Sequence, residues 1–423
     1  MKNLLLDNVA AINEVRRTAE ALKKGGVSLN GVSGPVKTVI IAALDSIFAG
    51  QGSLAFLVSG RDEIREYRRS LNWFYPELPM YELYPADLPR VQADAKSREV
   101  QAERVAALRF LRGEERGIVF VTAEALFQKL PDKTAAQEGI EINCGSITDQ
   151  QELIAKFTEF GYEHTQQVDA IGQFCVRGDI LDIFPINSKL PLRVEWFDDT
   201  VDAIRSFSLE NQRSVENLGK IKIVPLQEPE QESFNASVFD YVSAKTLLFV
   251  DEPSRLWDLA EKIYNENKAY ADELWTVQEL TEACGNAKAV ALAALQHNYF
   301  NAFTQINMPV RTVAPYNRNT ELLAGDLRGW LNDGIVPVIM MSSSIKARGL
   351  ADTLTGKGIA AGYVDAKPFL IPGRVSVISG ELTAGFRFWN ENWLLITESD
   401  IFGMQKRRRL HLREYTPVDA LRQ

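Results

Sequence analysis

Two stretches hold residues whose types and spacing could handle a nucleotide. In Val27–Ile41, VSLNGVSGPVKTVII, an apolar run, a glycine turn and a helix start follow one another. That is the order of a phosphate-binding loop, G-x-x-x-x-G-K-[ST]. Gly31 fills the first glycine, Lys37 the phosphate-binding lysine and Thr38 the hydroxyl that would hold Mg2+. The glycine expected just before the lysine is replaced by Val36, which follows Gly34 and Pro35. A phosphate cradle turns backbone N–H groups inward through conformations that favour glycine. Valine resists them, and proline has no N–H to offer. The expectation is a relic loop kept for its fold, with no working ATP site. Further along, TLLFV leads into Asp251 and Glu252, placed as a magnesium-holding and water-orienting pair would be. A helix start enriched in acids before Pro253 accounts for the same pair without chemistry.

A third stretch offers recognition chemistry. GQFCVRGDILDIFP, residues 172–185, reads as two short strands. Strand alternation puts Phe174 and Val176 on one face and Gln173, Cys175 and Arg177 on the other. On the next strand Asp182 shares a face with Ile180 and Phe184. If Asp182 marks solvent, Phe184 is exposed beside Arg177, and an arginine with an aromatic anchor often dominates a binding surface. The other reading puts Phe184 in the core and pairs Arg177 with Asp179 or Asp182.

Other chemistries find little support. Cys144, Cys175 and Cys284 are odd in number and far apart, and His164, His297 and His411 show no metal-ligand spacing. The composition, 46% hydrophobic and 24% charged, is that of a globular chain. A formal charge of −9 opposes a surface that grips nucleic acid as a whole. No apolar run is long enough to span a membrane. The expected location is cytoplasmic.

The elements that must position these residues form several domains. A chain of 423 residues exceeds one ordinary core. Asp7–Lys24 has helical spacing up to Gly25 and Gly26; the runs 53–59 and 117–122 suit buried parallel strands, with helical segments 61–74 and 95–112 between them. From Ile140 the character changes. Thr148 and Gln151 form a capping-box pattern before a helix, and four strand-like runs follow: 172–177, 180–184, 192–197 and 201–207. Links this short require antiparallel pairing. Helical segments are expected at 256–264 and 287–294. A further alternation of helix and strand runs from 321 to 397 before a basic tail, QKRRRLHLREY. Such a tail reads as a solvated linker, with phosphate contact through Lys406, Arg407, Arg408, Arg409 and Arg413 the sharper alternative. The expected organisation is 1–135, the first part of an α/β domain; 136–228, an inserted α+β domain; 229–317, the second part of the first domain; 318–404, a small α/β domain; and 405–423, the linker.

GYEHTQQVDAIGQFCVRGDILDIFP, then RVEWFDDTVDAIRSF and Gln212-Arg213-Ser214, resemble the bacterial transcription-repair coupling factors. More distantly they resemble the excision-repair helicase UvrB, whose intact phosphate loop falls where GVSGPVKT stands. The resemblance covers essentially the whole chain, as the N-terminal part of a longer protein. It implies a degenerate RecA/P-loop-like, UvrB-homology module around the inserted domain, followed by a separate domain, all without ATPase activity. The inserted domain would recruit UvrA to lesions where RNA polymerase has stalled. Arg177 and Phe184 match residues of that contact, and His164 stands where the family usually has a basic residue, mostly arginine. No cofactor is expected in this chain. ATP and Mg2+ would serve motor domains beyond it, RNA polymerase and DNA would be met through further domains, and a C-terminal domain would be autoinhibitory. The alternative is a UvrB-like, ATP-dependent strand separator. Against it, only 86–96 separates Tyr84-Pro85 from the next helix, too little for a strand-parting aromatic hairpin.

Overall fold

The computed structural model describes residues 2–85, 98–113, 115–132, 139–226, 234–297, 300–366 and 369–403. The chain divides into two compact units. One comprises Ala10–Val32 and Ile40–Met308; the other comprises Met1–Val9, Ser33–Val39 and the residues from Pro309 onward. The segment 86–96 and the basic tail, including Lys406, Arg407, Arg408, Arg409 and Arg413, fall outside the described residues.

The larger unit is built on a seven-stranded sheet, all of it parallel. Its order is Thr304–Asn307, Val27–Asn30, Ala289–Ala293, Leu247–Asp251, Leu54–Val58, Ile118–Thr122 and Met80–Leu83. The interior strands Leu54–Val58, Ile118–Thr122 and Ala289–Ala293 are almost wholly apolar and buried along their whole length, as suits a parallel sheet covered on both faces. Strands from before residue 140 and after residue 228 interleave, so this one sheet is completed across the intervening segment.

Two local readings change here. Residues 287–294, expected as helix, hold the strand Ala289–Ala293, whose five residues are all buried. Alanine favours helix in isolation. Hydrogen bonding to Val27–Asn30 on one side and Leu247–Asp251 on the other outweighs that preference. The helix expected over Asp7–Lys24 is two helices, Lys2–Ala11 and Asn13–Leu22, separated at Ile12. The Ile12 side chain is buried and its backbone is extended, with φ −60° and ψ 132°.

The segment from Ile140 to Leu226 folds as a helix against a six-stranded sheet ordered 214–218, 200–207, 192–197, 180–183, 173–177, 163–164. Four of these strands were legible, and all pairs are antiparallel except the two-residue edge pair Glu163–His164, which runs parallel to Gln173–Arg177. The helix Gln150–Glu159 starts from Asp149, whose carboxylate accepts the Gln151 and Glu152 N–H groups. Thr148 therefore does not cap it. Asp149 stands one residue closer, and a carboxylate accepts these donors well. Phe157, Phe174, Leu181, Ile183 and Val194 from this segment join a core continuous with that of the parallel sheet.

The smaller unit has its own mixed six-stranded sheet, ordered Val310–Thr312, Phe386–Phe388, Trp393–Thr397, Val336–Met341, Val375–Ser379, Ala361–Tyr363. The helices Thr320–Asn332 and Ser344–Gly356 contribute Leu323, Leu327, Ala351 and Leu354 to a separate core. The architecture is thus mixed α/β, with parallel and antiparallel sheets.

Candidate functional site

The outer face of the antiparallel sheet is organised around one carboxylate. Register places Cys175 opposite Asp182, Asp182 opposite Arg193, and Arg193 opposite Arg205. Asp182 is 1% exposed. Its Oδ1 accepts from Arg193 Nε at 2.6 Å, and its Oδ2 accepts from Arg193 Nη2 at 2.9 Å and from Arg177 Nη2 at 2.6 Å. Burying a charge is costly unless it is paired and hydrogen-bonded, and here two guanidiniums answer one carboxylate. The bond to Asp182 raises the Arg193 pKa further, against the opposing effect of burial. Arg193 also lies 4.7 Å above the Phe207 ring, so it is clamped from two sides. Arg205 pairs with Glu195 at 3.3 Å.

The two arginines on Asp182 differ in exposure. The Arg193 side chain is 18% exposed and that of Arg177 is 51%. A guanidinium carries five N–H donors. Arg177 commits one hydrogen bond to Asp182 and turns half its side chain to water, held in one orientation by a buried partner. Beside it runs a register row, Arg177, Ile180, Glu195 and Ala203, with Arg205 adjoining. This strip carries fixed charge of both signs around an aliphatic side chain.

The expectation that Asp182 marks solvent is overturned, and exposure of Phe184 with it. Phe184 is 8% exposed and packs with Val168, Cys175 and Leu209 in a small cluster on this same face. Its main chain extends the ladder, with Gly172 N–H donating to Phe184 O and Phe184 N–H donating to Gln173 O. The segments around Val168 and Leu209 cover this half of the sheet, and burial raises the Cys175 thiol pKa. A charged residue at an alternating position usually indicates a wet face. Here its counter-charges come from Arg177 and from Arg193, on a strand read separately. Arg193 and Arg205 were missed. The alternation in LRVEWF and TVDAIRSF was the available signal.

His164 does not join Arg177. It is exposed at the sheet edge, in register with Phe174, and its ring stacks on Phe174 with centroids 4.9 Å apart. Phe174 faces the helix and Arg177 lies three residues further along the strand, so alternation puts His164 and Arg177 on opposite faces.

The glycines of the degenerate loop answer needs of the backbone. Gly31 adopts φ +83°, and a Cβ there would meet the Met308 carbonyl at 2.6 Å. This glycine is required by a close backbone approach whether or not a nucleotide binds. Gly34 adopts φ +57° and the helix begins at Pro35, where a missing N–H costs least. Val36, Lys37 and Thr38 are all buried.

The acids beyond the later strand are engaged internally. Tyr67 donates to Asp251 Oδ1 at 2.7 Å, and burial with the nearby carboxylate drives the tyrosine pKa well up. Glu252 adopts φ +41° and accepts the Ala294 N–H at 3.1 Å. Pro253 then opens the helix Pro253–Glu266, so this pair matches the helix-start reading. Among the described residues no cluster of three His, Cys, Asp or Glu could hold a metal ion, and no helix is long and apolar enough to cross a membrane.

Residues 140–228 match the UvrB interaction domain family. The transcription-repair-coupling factor of Bacillus subtilis is 24% identical over 415 residues, covering 80% of this chain and 35% of its own. That of Staphylococcus haemolyticus is 21% identical over 483 residues, covering 96% of this chain and 41% of its own. That of Escherichia coli is 30% identical over 131 residues, 31% of this chain and 11% of its own. The chain thus spans 35–41% of the length of the longer matches. A solved structure, the crystal structure of a hypothetical ATP-dependent RNA helicase from Sulfolobus tokodaii, covers 89% of this chain and 81% of its own. Its 10% identity and TM-score of 0.27 are too slight to bear on the fold. The chain is similar to part of the transcription-repair-coupling factors, and its residues 140–228 match the UvrB interaction domain family.

Proposed function

We propose that this chain is a non-catalytic adaptor region that recruits UvrA to lesions where RNA polymerase has stalled, in transcription-coupled nucleotide excision repair. One observation carries the reading most directly. In the segment matching the UvrB interaction domain, Arg177 is half-exposed and its guanidinium is fixed on a buried carboxylate. A preoriented cation gives up little conformational freedom on binding, as a contact residue should. Phe184 is enclosed on that same face beside Cys175, and His164 would meet the partner only at the sheet edge. The parallel sheet and relic loop suit a RecA-like scaffold. ATP, Mg2+, RNA polymerase, DNA and an autoinhibitory contact would belong to other parts of a longer cytoplasmic protein.

Calorimetry with UvrA tests this. Arg177→Ala is expected to weaken binding by roughly 1–3 kcal/mol, as hot-spot truncations do. The melting temperature should barely move, because Arg193 still holds Asp182. Undiminished affinity would remove Arg177 from the contact.

The strand-separator reading requires a nucleotide. Val36 and Pro35 stand in the loop, and Asp251 is bonded to Tyr67. ATP titration of the chain is expected to give no saturable heat. Micromolar binding abolished by Lys37→Ala would restore the enzymatic reading.

A further inference from the structure

The smaller unit carries a cluster that the proposed function does not use. Arg311 and Arg387 stand directly opposite each other in the antiparallel pair Val310–Thr312 and Phe386–Phe388. Alternation puts both side chains, and Trp389 two residues beyond Arg387, on the face away from buried Phe386 and Phe388. The Arg311 guanidinium lies 4.7 Å from the centre of the Trp389 ring and that of Arg387 lies 5.2 Å from it. The indole is nonetheless 54% exposed.

This arrangement is unfavourable by itself. Like charges directly opposite on paired strands repel. Neither guanidinium has an ion-pair partner among the described residues, and Arg387 Nε is enclosed without an acceptor. Cation–π contact with one indole keeps both guanidiniums together. The cluster is therefore two converging, unneutralised cations on a shared aromatic support, which fits carboxylates through charge-assisted, bidentate hydrogen bonds. It also lies on an edge, because Val310–Thr312 is the terminal strand of its six-stranded sheet.

We infer that this edge takes an acidic, extended segment of a partner protein. The segment adds along Val310–Thr312 by main-chain pairing, and its carboxylates meet the two guanidiniums where they converge on Trp389. A nucleic-acid strand fits less well. It has no peptide groups to extend a sheet, and tracking its phosphates calls for a groove of cations where this site offers two. The inference is independent of the Arg177 face.

Fluorescence anisotropy with the full chain tests it, using a labelled short peptide of alternating glutamate and threonine. The controls are the lysine-for-glutamate peptide and oligothymidylate of equal charge. Saturable binding of the glutamate peptide is expected, with slowed amide exchange along Val310–Thr312 and no binding of the lysine peptide. Arg311→Ala/Arg387→Ala should weaken binding at least about tenfold. Arg311→Gln, at an exposed position, gives the same direction of change if the double variant folds poorly. No saturable binding, affinity unchanged in Arg311→Gln, or tighter binding of oligothymidylate would overturn the proposal.

Discussion

Asp182→Ala is expected to cost the antiparallel sheet about 3 kcal/mol, the scale for breaking a buried ion pair by removing one partner. The buried carboxylate accepts all three hydrogen bonds that Arg177 and Arg193 give to this face. Without it Arg193, only 18% exposed, keeps its charge but loses the acceptor for two donors. Arg177 can turn to water, so most of the cost falls on Arg193. Hydrogen exchange reads this locally. Amides in the strands 173–177, 180–183 and 192–197 should lose protection by roughly a hundredfold, since each tenfold corresponds to about 1.36 kcal/mol. Asp182→Leu combined with Arg193→Met should recover much of the loss, because well-packed apolar residues often replace a buried pair at no net cost. Protection unchanged in Asp182→Ala would show that Asp182 does not organise the face.

Phe184→Ala is expected to destabilise the same domain by about 3 kcal/mol, as removal of a buried aromatic ring does. It opens a cavity among Val168, Cys175 and Leu209 and loosens the segments covering that half of the sheet. Any loss of UvrA affinity in this variant would then mix unfolding with contact. Phe184→Leu separates the two, because it keeps the site apolar and filled. Its affinity for UvrA should stay within about twofold of the parent, and its stability should fall by less than that of the alanine variant. A tenfold loss of affinity in Phe184→Leu at unchanged stability would place the ring itself in the interface.

Much of the scaffold was legible because its signals are local. Short apolar runs such as LAFLV and IVFVT, bounded by turn residues, are buried strands whichever neighbours they pair with. The four strands within residues 172–207 followed from alternation and from links too short for crossovers. The failures share one cause: a local signal was overruled by a partner distant in sequence. AVALA has a helix-forming composition, yet it lies between two strands contributed from residues 27–30 and 247–251. Thr148 fitted a capping box, but its carbonyl instead accepts the Trp196 indole N–H, while Asp149 caps the helix.

The candidate face divides in the same way. Sequence by itself determined that residues 172–207 form antiparallel strands, that Arg177 and Asp182 lie on one sheet face, and that Pro35 and Val36 depart from the glycine pattern of a phosphate cradle. These follow from side-chain alternation and from the conformational limits of valine and proline, which do not depend on the rest of the chain. Tertiary structure alone decided that Asp182 is buried, that Arg193 shares it, that Phe184 is enclosed and that His164 faces the other side. Burial is a property of what packs against a residue. Here the covering atoms come from the segments around Val168 and Leu209, and the neutralising charge comes from a neighbouring strand, so no pattern within 172–185 could have revealed them.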